Sequence, residues 1–147
     1  MTIISTSNNR VSSITKNCTK RIIDYCAQQL PYEACGLLLA ATDSDTIIDF
    51  QPIVNRHEAA EQAFLFDAEQ WVHHYFSAIQ SGHHVVGIFH SHPAEEASPS
   101  QADIEGFIDH QLIYAIVSLK QIDRPQLQFY RFDHAANRFW DCPLMLA

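Results

Sequence analysis

Basic residues are scarce in this 147-residue sequence, and they form no cluster. Nine Lys and Arg stand against 17 Asp and Glu, which gives a net charge of −8. Proteins that bind nucleic acid neutralise phosphates with a basic patch or stripe. The scattered basic residues therefore argue against nucleic acid as a partner.

Long hydrophobic runs and a secretory signal are also missing. No apolar stretch approaches the roughly 18 residues that a membrane-spanning helix needs. The first ten residues lack the charged start and apolar segment of a signal peptide. We therefore expect a soluble, cytoplasmic protein with no membrane partner.

The length predicts a single domain over residues 1–147, in which 1–14 form an irregular lead or a first strand.

Cysteine is present but has no metal-binding spacing. The four residues of this type contain no C-x-x-C pair, and they are Cys18, Cys26, Cys35 and Cys142. Four cysteines in a chain of this length do not make a disulfide scaffold. We expect free thiols, and the spacing indicates no cysteine-based zinc site.

Hydrophobic periodicity predicts both helices and strands. Helical spacing favours helices over 15–30, from the capping sequence at Asp67 to just before Gly82, and from Ser100 to about His110. Short apolar or alternating runs favour strands over 32–40, 46–50, 63–66, about 84–90, 111–119, 126–132 and 138–142. Together these elements predict an α/β fold with a mixed sheet and about three helices.

Two histidines stand at the end of the apolar run that begins at Val85. Residues i and i+2 of a strand point to the same face, so His90 and His92 can reach one metal ion. Pro93 cannot donate to a sheet ladder, so we expect the strand to stop just after His92. This places the pair at a rim that water and substrate can reach.

The next predicted helix offers a carboxylate for the same ion. Ser100 follows a proline and is a natural N-cap, which puts Asp103 in the first helical turn. Two histidines and one carboxylate leave a fourth position open, as in catalytic zinc sites. Ser-x-x-Asp is also close to a capping box, which needs no metal. Its combination with the histidine pair predicts a centre for one zinc ion.

Hydrolysis at such a centre needs a group that accepts a proton and later delivers one. Glu33 stands at the mouth of an apolar strand, where a charged residue has little packing value. The alternative is that it is a solvated turn glutamate. Glu95 and Glu96 are nearer to the histidines in sequence. We expect their loop to be mobile, however, and a mobile loop cannot hold a catalytic group in a fixed position. The residues alone leave this assignment open.

The combined pattern resembles the JAMM (MPN-plus) metalloproteases. Glu33-Ala-Cys-Gly is followed by Gly87-x-x-His-Ser-His-Pro93, and Ser100-x-x-Asp103 begins seven positions after that proline. The resemblance implies a deaminase-like fold and zinc-dependent cleavage of peptide or isopeptide bonds. It further implies that Glu33 is the general acid/base, that Ser100 helps to stabilise the oxyanion, and that zinc is held by His90, His92 and Asp103.

The resemblance also implies a substrate class. Compact members of similar size act on the C-terminal tails of ubiquitin-like or sulfur-carrier proteins, and this sequence has no long insertion for gripping polyubiquitin. Two alternatives stay open, namely a zinc amidohydrolase that acts on a small molecule and a non-catalytic MPN-like scaffold module. The sequence also leaves a homodimer open.

Overall fold

The computed structural model describes residues 11–105 and 111–147. Their elements in chain order are β1 (Ser13–Ile14), α1 (Lys16–Gln28), β2 (Cys35–Ala41), β3 (Thr46–Ile53), α2 (Ala68–Gln80), β4 (His83–His92), α3 (Gln101–Glu105), β5 (Ile113–Ser118), β6 (Gln126–Asp133), β7 (Arg138–Asp141) and β8 (Met145–Leu146). The strands form one sheet in the order β7-β6-β5-β4-β2-β3-β1-β8. The predicted α/β class, with a mixed sheet and three helices, is confirmed.

The sheet is mixed around its central strand, β4. On one side β4 pairs antiparallel with β2, which forms the predicted hairpin with β3. On the other side it pairs parallel with β5, which is followed by antiparallel β6 and β7. β1 is parallel to both β3 and β8. The end of β4 therefore lies between two well-paired neighbours.

The helices lie on opposite faces of this sheet. Leu37 and Leu38 are consecutive in β2, so they point to opposite faces, and they belong to two different buried clusters. The cluster of Leu38 contains the buried stripe of α1, which consists of Cys18, Ile22 and Cys26. The cluster of Leu37 contains Ala78 of α2, with Trp71 and Tyr75 packed against it.

Both long helices begin at side-chain caps, and the cap at Asp67 was predicted from the sequence. The Thr15 side chain accepts a hydrogen bond from Cys18 N at the start of α1. The Asp67 side chain does the same for Gln70 N at the start of α2. Such side chains satisfy amide groups that have no partner within the helix. No helix in the described ranges is long and apolar enough to cross a membrane.

Several predicted boundaries differ from the structure. Residues 63–66 do not form a strand, and their pairing is a single bridge between Phe66 and Asn55. The Asn55 side chain bonds the backbone there in place of a neighbouring strand. β4 runs two residues past the end at about residue 90 that its apolar run predicted, and it stops at His92, as Pro93 predicted. The short strand β8 was not predicted. The predicted continuation of the third helix over 106–110 lies outside the described residues.

Gly36 allows β2 to lie close to both of its neighbours. A Cβ atom at this position would stand 2.2 Å from Gln51 O and 2.6 Å from the Phe89 ring. The first of these atoms belongs to the backbone of β3, so it cannot rotate away. Only glycine fits here without moving the strands apart.

Ser91 ties the segment before β2 to β4. Its hydroxyl accepts a hydrogen bond of 2.8 Å from Ala34 N, and its own N donates to Ala34 O at 3.0 Å. Ser91 is fully buried and points away from the histidine side of the strand. The contact fixes the backbone immediately after Glu33.

Ser91→Ala is expected to lower the free energy of unfolding by about 1–3 kcal/mol, because it leaves the buried Ala34 amide with one partner fewer. Denaturant unfolding at a fixed metal concentration measures this change. Ser12→Ala is the matched control, since Ser12 bonds Asp45 at the surface, and its effect should stay within about 0.5 kcal/mol. Equal effects of the two substitutions would contradict a structural role for Ser91.

Candidate metal centre

Three side chains meet at the end of β4. His90 Nε2 lies 3.1 Å from His92 Nε2 and 3.0 Å from Asp103 Oδ1, and His92 Nε2 lies 3.2 Å from Asp103 Oδ2. Among the described residues this is the group of His, Cys, Asp and Glu side chains that could hold a metal ion. The sequence-predicted ligand set is thus brought together from a strand end and a helix start.

The histidine pair is more enclosed than the sequence suggested. His90 is 3% exposed and His92 is 2% exposed, whereas we expected an accessible rim. The Phe64 ring stacks on the His90 ring with centroids 4.6 Å apart and an interplanar angle of 24°. Sequence analysis missed this ring because residues 63–66 had the pattern of a strand. The stack fixes the plane of the His90 imidazole.

The orientation of His92 is set by the loop that follows β4. Its Nδ1 lies 2.7 Å from Glu96 O, and a carbonyl oxygen can only accept, so Nδ1 carries the hydrogen. In a neutral ring Nε2 then has a lone pair, as a metal ligand requires. The backbone of Glu96 is therefore part of the site, and no sequence pattern indicated it.

The loop from Pro93 to Pro99 is tethered rather than loose as expected. Ser118 Oγ donates to Glu95 O at 2.6 Å, and Tyr130 donates its hydroxyl hydrogen to Ala97 O. The Glu96 carboxylate is 65% exposed and forms an ion pair of 3.0 Å with Lys120. It is therefore turned toward solvent while the backbone of the same residue holds His92.

Asp103 is held by reciprocal bonds with Ser100. Ser100 N donates to Asp103 Oδ2 at 2.7 Å, and Asp103 N donates to Ser100 Oγ at 3.2 Å. This is the predicted capping arrangement, and it leaves Asp103 Oδ1 facing His90. Burial alone would raise the pKa of Asp103, but the contacts with His90 and His92 outweigh it and hold the pKa below its usual value.

The polar groups fit a cation at this point. His92 Nε2 and Asp103 Oδ2 are both electron-rich when the ring is neutral, so a positive charge, either a proton or a metal ion, must lie between them. Asp103 raises the pKa of His92 although burial opposes it, whereas burial lowers the pKa of His90. Ligands about 2.0–2.1 Å from one tetrahedral zinc ion are about 3.3 Å apart, which is close to the spacing seen here.

Glu33 is buried beside the three ligands. It is 5% exposed, and within the described ranges its Oε1 has no hydrogen-bond partner. Burial raises the pKa of its carboxyl to about 7, while His92 lowers it and Asp103 raises it. The interpretation of Glu33 as a solvated turn residue is therefore wrong. A carboxyl group with this pKa exchanges a proton readily near neutral pH.

The comparison with known families covers most of the sequence. The family model of prokaryotic homologs of the JAB domain, named Prok-JAB, matches residues 15–133. The chain belongs to this family. The resemblance seen in the sequence motifs is thereby confirmed at the level of the family.

Two relatives of this Prok-JAB protein have names that state an activity. The desampylase of Haloferax volcanii is 31% identical over 88 residues, which are 60% of this chain and 63% of the desampylase. The CysO-cysteine peptidase of Mycobacterium tuberculosis is 30% identical over 111 residues, which are 75% of each chain. The chain thus spans less than two thirds of the first relative.

Solved structures match over nearly the full length. A protein from Desulfitobacterium hafniense has a TM-score of 0.80 and 27% identity, with 92% of each chain covered. A JAB1/MPN domain protein from Archaeoglobus fulgidus has a TM-score of 0.61 and 17% identity, with 92% of this chain and 97% of that chain covered. The second likeness supports the fold alone.

Proposed function

We propose that this protein is a zinc-dependent hydrolase that cleaves a peptide or isopeptide bond at the C-terminal tail of a ubiquitin-like or sulfur-carrier protein. The observation that carries the proposal is the convergence of His90, His92 and Asp103 within 3.2 Å beside a buried glutamate. The names of the two relatives support the hydrolase class and the class of substrate.

His90 and His92 would hold the zinc ion through Nε2, and Asp103 through its carboxylate. A zinc ion bound there supplies a Lewis acid for the scissile carbonyl and makes a nucleophile from water available at neutral pH. The chain keeps the ligands in place through the Phe64 stack on His90, the Glu96 carbonyl on His92 Nδ1 and the Ser100 amide on Asp103 Oδ2. Outer contacts of this type orient metal ligands.

Glu33 would move the proton. Its carboxyl is buried, and without a metal ion this burial raises its pKa to about 7, so the group binds a proton more readily than a solvated glutamate does. The base form can take a proton from water during attack, and the acid form can deliver it to the leaving amine. Its buried Oε1, without a hydrogen-bond partner among the described residues, is available for this exchange.

Ser100 would stabilise the negative charge on the carbonyl oxygen. Its Oγ accepts a hydrogen bond from Asp103 N, and that contact uses an oxygen lone pair. The hydroxyl hydrogen can therefore donate to a substrate oxygen while the serine still caps α3. The capping role and the catalytic role do not exclude each other.

Ser100→Ala is expected to lower kcat by about 100- to 1,000-fold, which is the usual effect of removing one oxyanion donor. Initial rates of tail cleavage at saturating substrate measure it. Ser100→Thr keeps the hydroxyl and should recover most of the activity, and Ser98→Ala, on the exposed part of the same loop, should have little effect. Wild-type kcat in Ser100→Ala would remove this residue from the mechanism, and loss of metal would show that it acts through Asp103.

The substrate is tested by offering the purified, zinc-loaded protein a carrier protein that is extended beyond its Gly-Gly tail. Mass spectrometry should show release of the extension and an intact carrier. The matched control is the same carrier with its last glycine pair replaced by bulky residues. Hydrolysis of small amides alone would favour the small-molecule amidohydrolase, and no hydrolysis of either class would favour a scaffold module.

A further inference from the structure

Asn55 lies two residues beyond β3, and both polar atoms of its side-chain amide form hydrogen bonds. Its Nδ2 donates to Glu33 O and to Ala63 O, each at 3.0 Å, and makes a longer bond of 3.5 Å to Ala60 O. Its Oδ1 accepts from His57 N at 3.0 Å and from Leu65 N at 3.1 Å. Because only carbonyl oxygens face Nδ2 and only amide groups face Oδ1, the orientation of the side chain is unambiguous.

The first of these bonds acts on Glu33. The carbonyl of Glu33 accepts from Asn55, and the amide of Glu33 donates to Ala60 O at 2.8 Å. Both backbone groups of Glu33 are therefore held by residues 55–66. Since Oε1 of the same residue has no hydrogen-bond partner in the described part of the chain, the place of the carboxyl depends on its backbone.

The other bonds act on Phe64. Asn55 bonds the carbonyl of Ala63 and the amide of Leu65, which are the residues on either side of Phe64. This fixes the backbone from which the Phe64 ring stacks on His90. One side chain thus connects the candidate general acid/base with the ring that orients a candidate metal ligand.

We propose that Asn55 is a positioning residue for hydrolysis, which holds the Glu33 carboxyl and, through Phe64, the His90 imidazole in one fixed arrangement. The proposal rests on the proposed function above for its kinetic consequence, but its structural content does not depend on the identity of the substrate. Small displacements of catalytic groups cost much more rate than stability, because the reacting atoms must be closely aligned.

The kinetic test uses two variants of the zinc-loaded protein. Asn55→Asp keeps the size and the acceptor for His57 N and Leu65 N, but it loses every bond that Nδ2 donates. Asn55→Ala loses all of these side-chain bonds and adds no charge. Both are expected to lower kcat by about 10- to 100-fold with KM nearly unchanged and with a full equivalent of zinc. Gln70→Ala is the matched control, because Gln70 Oε1 accepts from Val54 N, next to Asn55, and this side-chain bond involves neither Glu33 nor the residues around Phe64.

A second readout needs no substrate and no metal. The Phe64 ring shifts the proton resonances of the stacked His90 imidazole, and Phe64→Leu defines the values without that ring. In the metal-free protein, Asn55→Asp and Asn55→Ala should move these resonances toward the Phe64→Leu values, whereas Gln70→Ala should leave them in place. All measurements are made well below the unfolding temperature of each variant.

The two readouts separate the proposals. If the wild-type protein cleaves no carrier tail but the His90 resonances move as expected, the proposed function fails and the positioning role of Asn55 stands. If the resonances stay at wild-type values in both Asn55 variants, or if kcat falls no further than in Gln70→Ala, then Asn55 only stabilises the loop and the inference is overturned.

Discussion

Glu33→Gln is expected to lower kcat by about 100- to 10,000-fold while the protein keeps its zinc and its KM, which is the usual contribution of a general acid/base group. Glutamine has the same shape but cannot take or give the proton. The substitution leaves the three ligand side chains untouched, so metal binding should persist. Initial rates of tail cleavage and elemental analysis of the purified protein measure the two quantities.

Glu96→Gln is the matched control for this prediction. Glu96 is close to the site in sequence, but its carboxylate pairs with Lys120 at the surface and only its carbonyl contacts His92. The substitution keeps that carbonyl, so kcat should stay within about twofold, since an exposed ion pair contributes little. If Glu33→Gln retained activity and Glu96→Gln lost it, the roles assigned to these two glutamates would have to be exchanged.

The ligand set could be predicted from the sequence because its geometry is local. Strand periodicity alone directs His90 and His92 to one face, and a helix cap alone places Asp103 in a first turn. What the sequence could not supply was the distance between these two elements. That distance depends on the chain between Pro93 and Ser100, whose tethers to Ser118 and Tyr130 involve strands much later in the sequence.

Glu33 could be assigned only by resemblance, because its burial depends on long-range pairing. Cys35 of β2 pairs with His90 of β4, and Ser91 bonds Ala34. These contacts bring the residue before them beside the metal ligands. The sequence around Glu33 does not predict how β2 pairs with β4. From the sequence alone, a solvated glutamate and a catalytic glutamate could therefore not be distinguished.

The segment around Phe64 shows a different reason for failure. Its short run of apolar residues has the pattern of a strand, but its backbone groups form hydrogen bonds with the Asn55 side chain. A side chain that replaces a neighbouring strand leaves no periodic signal. The short strand β8 was missed for a related reason, because two residues are too few to show a period.

Asp103→Asn is expected to reduce bound zinc from about one equivalent per chain to a trace, because it removes the one negative ligand. Two neutral imidazoles would then share a buried divalent charge that no carboxylate compensates, which is unfavourable in an enclosed site. An asparagine oxygen can still accept from Ser100 N, as Asp103 does now at 2.7 Å, so the start of α3 should persist. His90→Ala should lose the metal as well, and elemental analysis after dialysis measures both variants.

Asp67→Asn provides the matched control for that loss. Asp67 also caps a helix, through a bond of 3.0 Å from Gln70 N, but it lies outside the ligand group. Its substitution should leave zinc at the wild-type level. Stoichiometric zinc in Asp103→Asn or in His90→Ala would contradict the ligand assignment.

Thermal unfolding tests the same assignment without any substrate. A ligand that binds only the folded state stabilises it, by about 4 kcal/mol at a thousandfold excess over Kd. A chelator should therefore lower the Tm of the wild type and of Asp67→Asn, and should leave the Tm of Asp103→Asn unchanged. Because Asp103→Asn keeps the helix cap, a Tm that does not respond to chelator reports the lost ligand rather than a lost fold. An equal decrease in Tm in all three proteins would show that the metal is bound elsewhere. That result would contradict the proposed catalytic site.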